Sequence, residues 1–126
     1  MGAIGAISSI GVMWMERTAH KYYNTDLDDM DAALRSTLDE LEMPIEKEYM
    51  SGDSMVFKAD VDDRFTITLN PVRENVTKVS IVVNLLGDKP YAEMIYRHID
   101  AQKGVVQFVS VKELNTAVEE RPRRRK

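Results

Sequence analysis

Three stretches of the chain alternate apolar and polar residues with a period of two. Met55, Phe57, Ala59 and Val61 form the first set, Phe65, Ile67 and Leu69 the second, and Val79, Ile81, Val83 and Leu85 the third. Alternation of this kind puts one apolar row on one face of a strand and a polar row on the other. Connections as short as Asp62-Asp63 suit antiparallel neighbours, because parallel strands need a crossover of a dozen residues or more. The sequence therefore predicts a meandering antiparallel sheet with one face buried. Val82 is the one apolar residue on the outer side of its strand. Ile45 to Met50 adds a further extended stretch before the turn signal Ser51-Gly52-Asp53, and Asn70-Pro71 closes the strand that contains Leu69. Glu16 to Asn24 reads as an amphipathic first strand, with Thr18, His20 and Tyr22 on one side.

Two segments change to helical periodicity. Leu27, Met30, Leu34, Leu38 and Leu41 recur at three- and four-residue steps, Asp26 stands as N-cap, and Pro44 stops the helix. Asp28, Asp29 and Asp31 follow the cap, where carboxylates meet free backbone N–H groups and the positive end of the helix dipole. The second helix follows Gly87-Asp88-Lys89-Pro90, with Asp88 as cap, Tyr91, Met94, Ile95, His98 and Ile99 facing inward, and Gly104 as its end. Val105 to Val111 suits either a fifth strand or the start of a short helix using Leu114 and Val118. The expected architecture is α+β, an antiparallel sheet of four to five strands with two helices on one face, in the order β-α-β-β-β-α. Residues 1–15 read as an apolar leader, a truncated signal, anchor or linker; 16–112 as a single domain; and 113–126 as a basic tail.

Charge is unevenly placed along the 126 residues, which carry 17 Lys and Arg against 21 Asp and Glu. Between Asn24 and Asp63 there are thirteen carboxylates and three bases, while Arg121, Arg123, Arg124, Arg125 and Lys126 form a basic end. An acidic body repels phosphate backbones, so nucleic acid is a disfavoured partner and an anionic surface or polymer would be met by the tail alone. With no cysteine, thiol catalysis, Cys-ligated zinc, iron–sulfur clusters and disulfides are excluded. Phosphate-cradling glycine loops are absent, and no cofactor or metal is expected. Asp26 to Asp31 has the alternating carboxylates of a calcium loop, but Asp31 and Thr37 stand where that loop needs its Gly and its bidentate Glu. Asn75-Val76-Thr77 fits a glycosylation sequon, which has meaning only in an exported eukaryotic chain.

The histidines, His20 and His98, are the side chains that titrate near neutrality without environmental help. No spacing supplies them with a nucleophile and an orienting acid, so no catalytic residue is expected. Trp14, His20, Tyr22 and His98 are the candidate partner or ligand contacts.

The apolar Gly/Ala leader, YNTDLDDMDAAL at Tyr23–Leu34, MSGDSMVFKA, and TKVSIVVNLLGDKPYAEMIYRHI together resemble an uncharacterised family of small bacterial envelope lipoproteins. The resemblance spans residues 12–102 and is carried most specifically by Tyr23, Leu27 and Ala33 at the helix entry, by Ser51-Gly52, by Thr77 to Ile81 and by Gly87-Asp88. It implies a signal peptide with a lipid-modified Cys, one α+β domain, and no assigned activity. This sequence departs from that pattern by lacking the Cys, and by Asn84 in place of a small residue. The resemblance points to a non-catalytic interaction or accessory module on the periplasmic side of a membrane, with an envelope protein complex as partner and the membrane surface as a further contact. A small-ligand binder or enzyme using a cleft between helix and sheet is the alternative, with His20, Tyr22 or His98 in it.

Overall fold

The computed structural model describes residue 7 and residues 10–119. It is α+β, with six antiparallel strands and three helices: β1 Met13–Met15, β2 Thr18–Tyr23, α1 Leu27–Glu40, β3 Ile45–Ser51, β4 Ser54–Ala59, β5 Phe65–Arg73, β6 Val76–Val83, α2 Lys89–Asp100 and α3 Val111–Val118. The strand order is β1-β2-β6-β5-β4-β3. Four to five strands and two helices were expected, and the two extra elements come from the ends. Met13–Met15, assigned to the leader, pairs with Thr18 to His20 as an edge strand, and Val111–Val118 forms a helix across the boundary drawn at 112. Three residues are too few to show a period, and α3 offers only Leu114 and Val118 as its buried pair.

Register fixes which residues meet. Ala59, Phe65 and Val83 are opposed across three strands, as are Phe57, Ile67, Ile81 and Ala19 across four. These rows face α1 and α2, and with Met30, Leu34, Leu38, Ala92, Ile95, Tyr96 and Ile99 they form the main core. The α1 stripe enters it as the periodicity requires, and Asp26 caps α1 through a carboxylate that accepts from the Asp29 N–H at 2.9 Å. Asp88 behaves differently. Its side chain makes no cap bond to α2, because both of its oxygens accept from Arg64, at 2.8 and 3.0 Å. The strand expected to end at Asn70-Pro71 instead runs on to Arg73, and Pro71 is accommodated where the register shifts between Pro71 and Arg73. Leu85, expected inward, is two-thirds exposed beyond the end of β6.

A second, smaller core lies on the other side of the sheet, where Leu114, Val118 and Phe108 pack with Ile7, Val76, Tyr22 and Met13. The chain reaches that side by a strap after α2. Thr25 Oγ1 donates to the Val106 carbonyl at 2.9 Å and accepts from the Val106 N–H at 2.8 Å, and the Asn24 N–H donates to the same carbonyl at 2.9 Å. Asn115 Nδ2 then donates to the Ile7 carbonyl at 3.1 Å, so this part of the expected leader is packed into the domain.

Within α1, the buried Thr37 hydroxyl has no hydrogen-bond partner. An unsatisfied buried hydroxyl costs about 1–3 kcal/mol, and Val has nearly the same shape and helix propensity. Thr37→Val is expected to raise stability by about 1 kcal/mol, seen as a higher urea midpoint with an unchanged slope.

Candidate functional site

Strand parity divides the sheet into a face covered by α1 and α2 and an outward face, of which Met13, Tyr22 and Val76 are packed against Phe108 and α3. The central outward row is Met13, His20, Ser80, Thr68, Val56 and Tyr49, one residue from each strand. On one side of it runs Met15, Thr18, Val82, Thr66, Lys58 and Lys47, and on the other Tyr22, Lys78 and Asn70. Glu46 is the extra residue where the β3–β4 register shifts, and it belongs to neither row. Glu48 lies on the helix side, where it meets Arg35 of α1 at 2.9 Å. These rows therefore hold three lysines and a histidine but no carboxylate, in a chain with 21 acids.

The four contacts expected from the sequence are separated by the sheet. His20 and Tyr22 stand outward, with their rings edge to face at 5.9 Å. Burial and the neighbouring Lys78 cation hold the His20 imidazole below its usual value, so the neutral form is favoured. Burial raises the Tyr22 phenol. Trp14 faces the helix side, where its indole N–H donates to Glu93 at 2.8 Å and Lys89 sits 4.8 Å above its ring. His98 lies on α2, with Nδ1 3.0 Å from the Met94 carbonyl one turn back. Imidazole, phenol and indole thus do not converge on one cleft. Arg121, Arg123, Arg124, Arg125 and Lys126 lie outside the described residues.

Two charged clusters that the sequence reading did not identify hold the fold together. Lys21, 6% exposed, donates to both oxygens of Asp100 at 3.0 and 3.1 Å and to Gln107 at 2.8 Å. Tyr23 donates to the same carboxylate at 2.7 Å. Burial and Asp100 push the Tyr23 phenol far above its ordinary value, so it is a fixed donor rather than a proton-transfer group. Arg64 forms a bidentate pair with Asp88, reaches Asp60 at 3.2 Å, and stacks on Tyr91 at 4.7 Å. These bonds hold the Asp88 carboxyl below the usual carboxylate range.

A third feature is apolar. The β1–β2 turn, the β4–β5 connection and the segment after β6 meet at one end of the sheet. The Val83 N–H donates to the Arg17 carbonyl at 2.9 Å, and Asn84 donates to the carbonyls of Arg64 (3.3 Å) and Asp63 (2.7 Å). From these loops Met15, Val61, Leu85 and Leu86 project at 70, 63, 67 and 56% exposure. At the opposite end, an open depression of about 430 Å³ lies between Asn24, Phe108 and the first turn of α3.

The sequence reading missed both Lys58 and Lys78 as site residues, although the alternation that found the core also places them outward. Val61 and Leu85 closed two of the alternating rows and were expected inward, but both lie beyond the last paired residues of their strands and are exposed, while Met15 and Leu86 belong to no periodic set. No family model matches the chain, and neither does any curated protein.

Two outcomes follow from these placements. Asp100→Ala is expected to cost about 3 kcal/mol, because it strands a buried ammonium, and to cost more than Lys21→Met, which leaves a carboxylate that is a quarter exposed and still bonded to Tyr23. The pH response of His20 has a definite sign. Its lowered pKa means that the unfolded chain binds the proton more tightly, so stability present above about pH 6.5 is lost as pH falls through the lower native value. His20→Gln should flatten that part of the profile, as measured by urea midpoints at about pH 7.5 and about pH 5.

Proposed function

We propose that this protein is a non-catalytic docking module of a bacterial envelope assembly, holding a protein partner at the loop end of its sheet. The observation that carries this reading is that Met15, Val61, Leu85 and Leu86 are all exposed at one end of the sheet, on connections joined by backbone hydrogen bonds. Single exposed apolar residues are ordinary on a protein surface, but a group of them rimmed by polar residues marks a contact site. The rim supplies the partner's chemistry. On these connections Glu16, Asp62 and Asp63 outnumber the exposed Arg17, and Arg64 is engaged by Asp60 and Asp88, so an apolar pocket flanked mainly by basic groups is the complementary surface.

Placement in the envelope rests on the resemblance carried by residues 12–102. No helix among the described residues is long and apolar enough to cross a membrane. The engagement of Tyr23 by Asp100 and of His98 by Met94 supports a docking role over a catalytic one, since both groups are tied into the fold.

The joint substitution Leu85→Ser and Leu86→Ser tests the reading. Each side chain is largely solvent-exposed, so the urea midpoint should barely move. Loss of two apolar anchors, at about 1 kcal/mol or more each, should weaken the complex about thirtyfold or more. A photo-cross-linker at position 86 should give a discrete adduct in the envelope fraction, and one at position 103 should not. A chain that fractionates as a free cytoplasmic monomer, with no adduct, would overturn the proposal.

A further inference from the structure

We propose that the outward face of the sheet binds an acidic polysaccharide of sparse charge, at a site separate from the apolar loop end. The first argument is charge complementarity. The body of the protein is acidic, yet its carboxylates are kept off the outward rows, which present Lys47, Lys58 and Lys78. Among the described residues neither Lys47 nor Lys78 meets a carboxylate, while Lys58 Nζ is held 3.0 Å from Thr66 Oγ1.

The second argument is what lies between the cations. Lys58 sits opposite Thr66 and Lys78 opposite Asn70, so the two are two strands apart and displaced by four residues along β5. At ordinary strand spacing that is about 10 Å across and about 13 Å along, or about 16 Å overall. The ground between them is Thr68, Ser80 and Val82, all half-buried, with two hydroxyls that both donate and accept. Tyr49, exposed on β3, stands at its margin.

Widely separated cations over a hydroxyl-bearing floor suit a chain of sugars with spaced carboxylates. The sugar hydroxyls exchange hydrogen bonds with Thr68 and Ser80 while the carboxylates reach Lys58 and Lys78. A phosphate backbone presents charge more densely, and it would pay repulsion from the acidic body along the rest of its length. The polysaccharide is therefore favoured over a nucleic acid. Binding should be salt-sensitive but shallow in slope, since few ion pairs form.

Titration of the full chain with hyaluronan oligosaccharides, which carry one carboxylate per disaccharide, tests this. Backbone amide shifts should map to β4, β5 and β6, and dextran of equal length should cause none. Lys58→Gln with Lys78→Gln should weaken binding about tenfold or more. Lys78→Gln alone, which leaves the Lys58–Thr66 contact intact, should weaken it measurably with an unchanged urea midpoint. No binding of hyaluronan would overturn the proposal. So would binding that survives both substitutions, which would assign the anion to Arg121–Lys126. Tighter binding of single-stranded DNA, lost with the same lysines, would overturn it in favour of a phosphate polymer.

Discussion

The register of β2, β6, β5 and β4 is the constraint on which the rest of the molecule depends. A slip of one residue in any of these pairings would exchange the buried row for the outward one, sending Val79, Ile81 and Val83 to solvent and Lys78 and Ser80 under the helices. Burying a lysine without a partner costs far more than burying a valine gains, so the alternation itself guards the pairing. Both proposed surfaces inherit their shape from that pairing. The outward rows follow from parity, and the apolar loop end follows because three connections terminate at the same level of the sheet.

The helices are placed by apolar packing and then oriented by polar bonds. Tyr96 of α2 is fully buried, and its hydroxyl shares a proton between the Val79 carbonyl at 2.8 Å and the Ala19 carbonyl at 3.0 Å. One turn further on, Asp100 receives Lys21 and Tyr23. A buried ion pair of this kind adds little net stability, but breaking it is costly. Its structural effect is therefore to fix which residues of α2 lie over β2. At the other end of α2, the Arg64–Asp88 pair ties the helix entry to the start of β5. Arg64 is the anchor of the loop region that displays Val61, Leu85 and Leu86, and Asp60, Asp62 and Asp63, all at positive φ, turn the chain there.

Much of the fold was legible in the sequence because it rests on periodicities longer than five residues. The stripe from Leu27 to Leu41, the Asp26 cap, and the alternations through Phe65–Leu69 and Val79–Val83 are present as read. What was not legible depends on contacts distant in sequence. Met13–Met15 is a strand because β2 offers it an edge, and the Asp88 carboxylate leaves its expected cap because Arg64, 24 residues away, offers a stronger charge-assisted pair. His20 and Tyr22 were correctly placed together on one side of a strand, whereas Trp14 and His98 were grouped with them though the sheet lies between.

The sequence by itself determined that an amphipathic sheet would be covered by two amphipathic helices, since only that arrangement buries stripes of period 3.6 and rows of period two together. It also determined that most of the chain would be acidic and that no thiol chemistry was available. The alternation in sequence already set Lys58 and Lys78 opposite the apolar rows. The tertiary structure decided that they share one face with Lys47 and that the carboxylates fall to the helices, edges and loops, because strand order and register join residues distant in sequence.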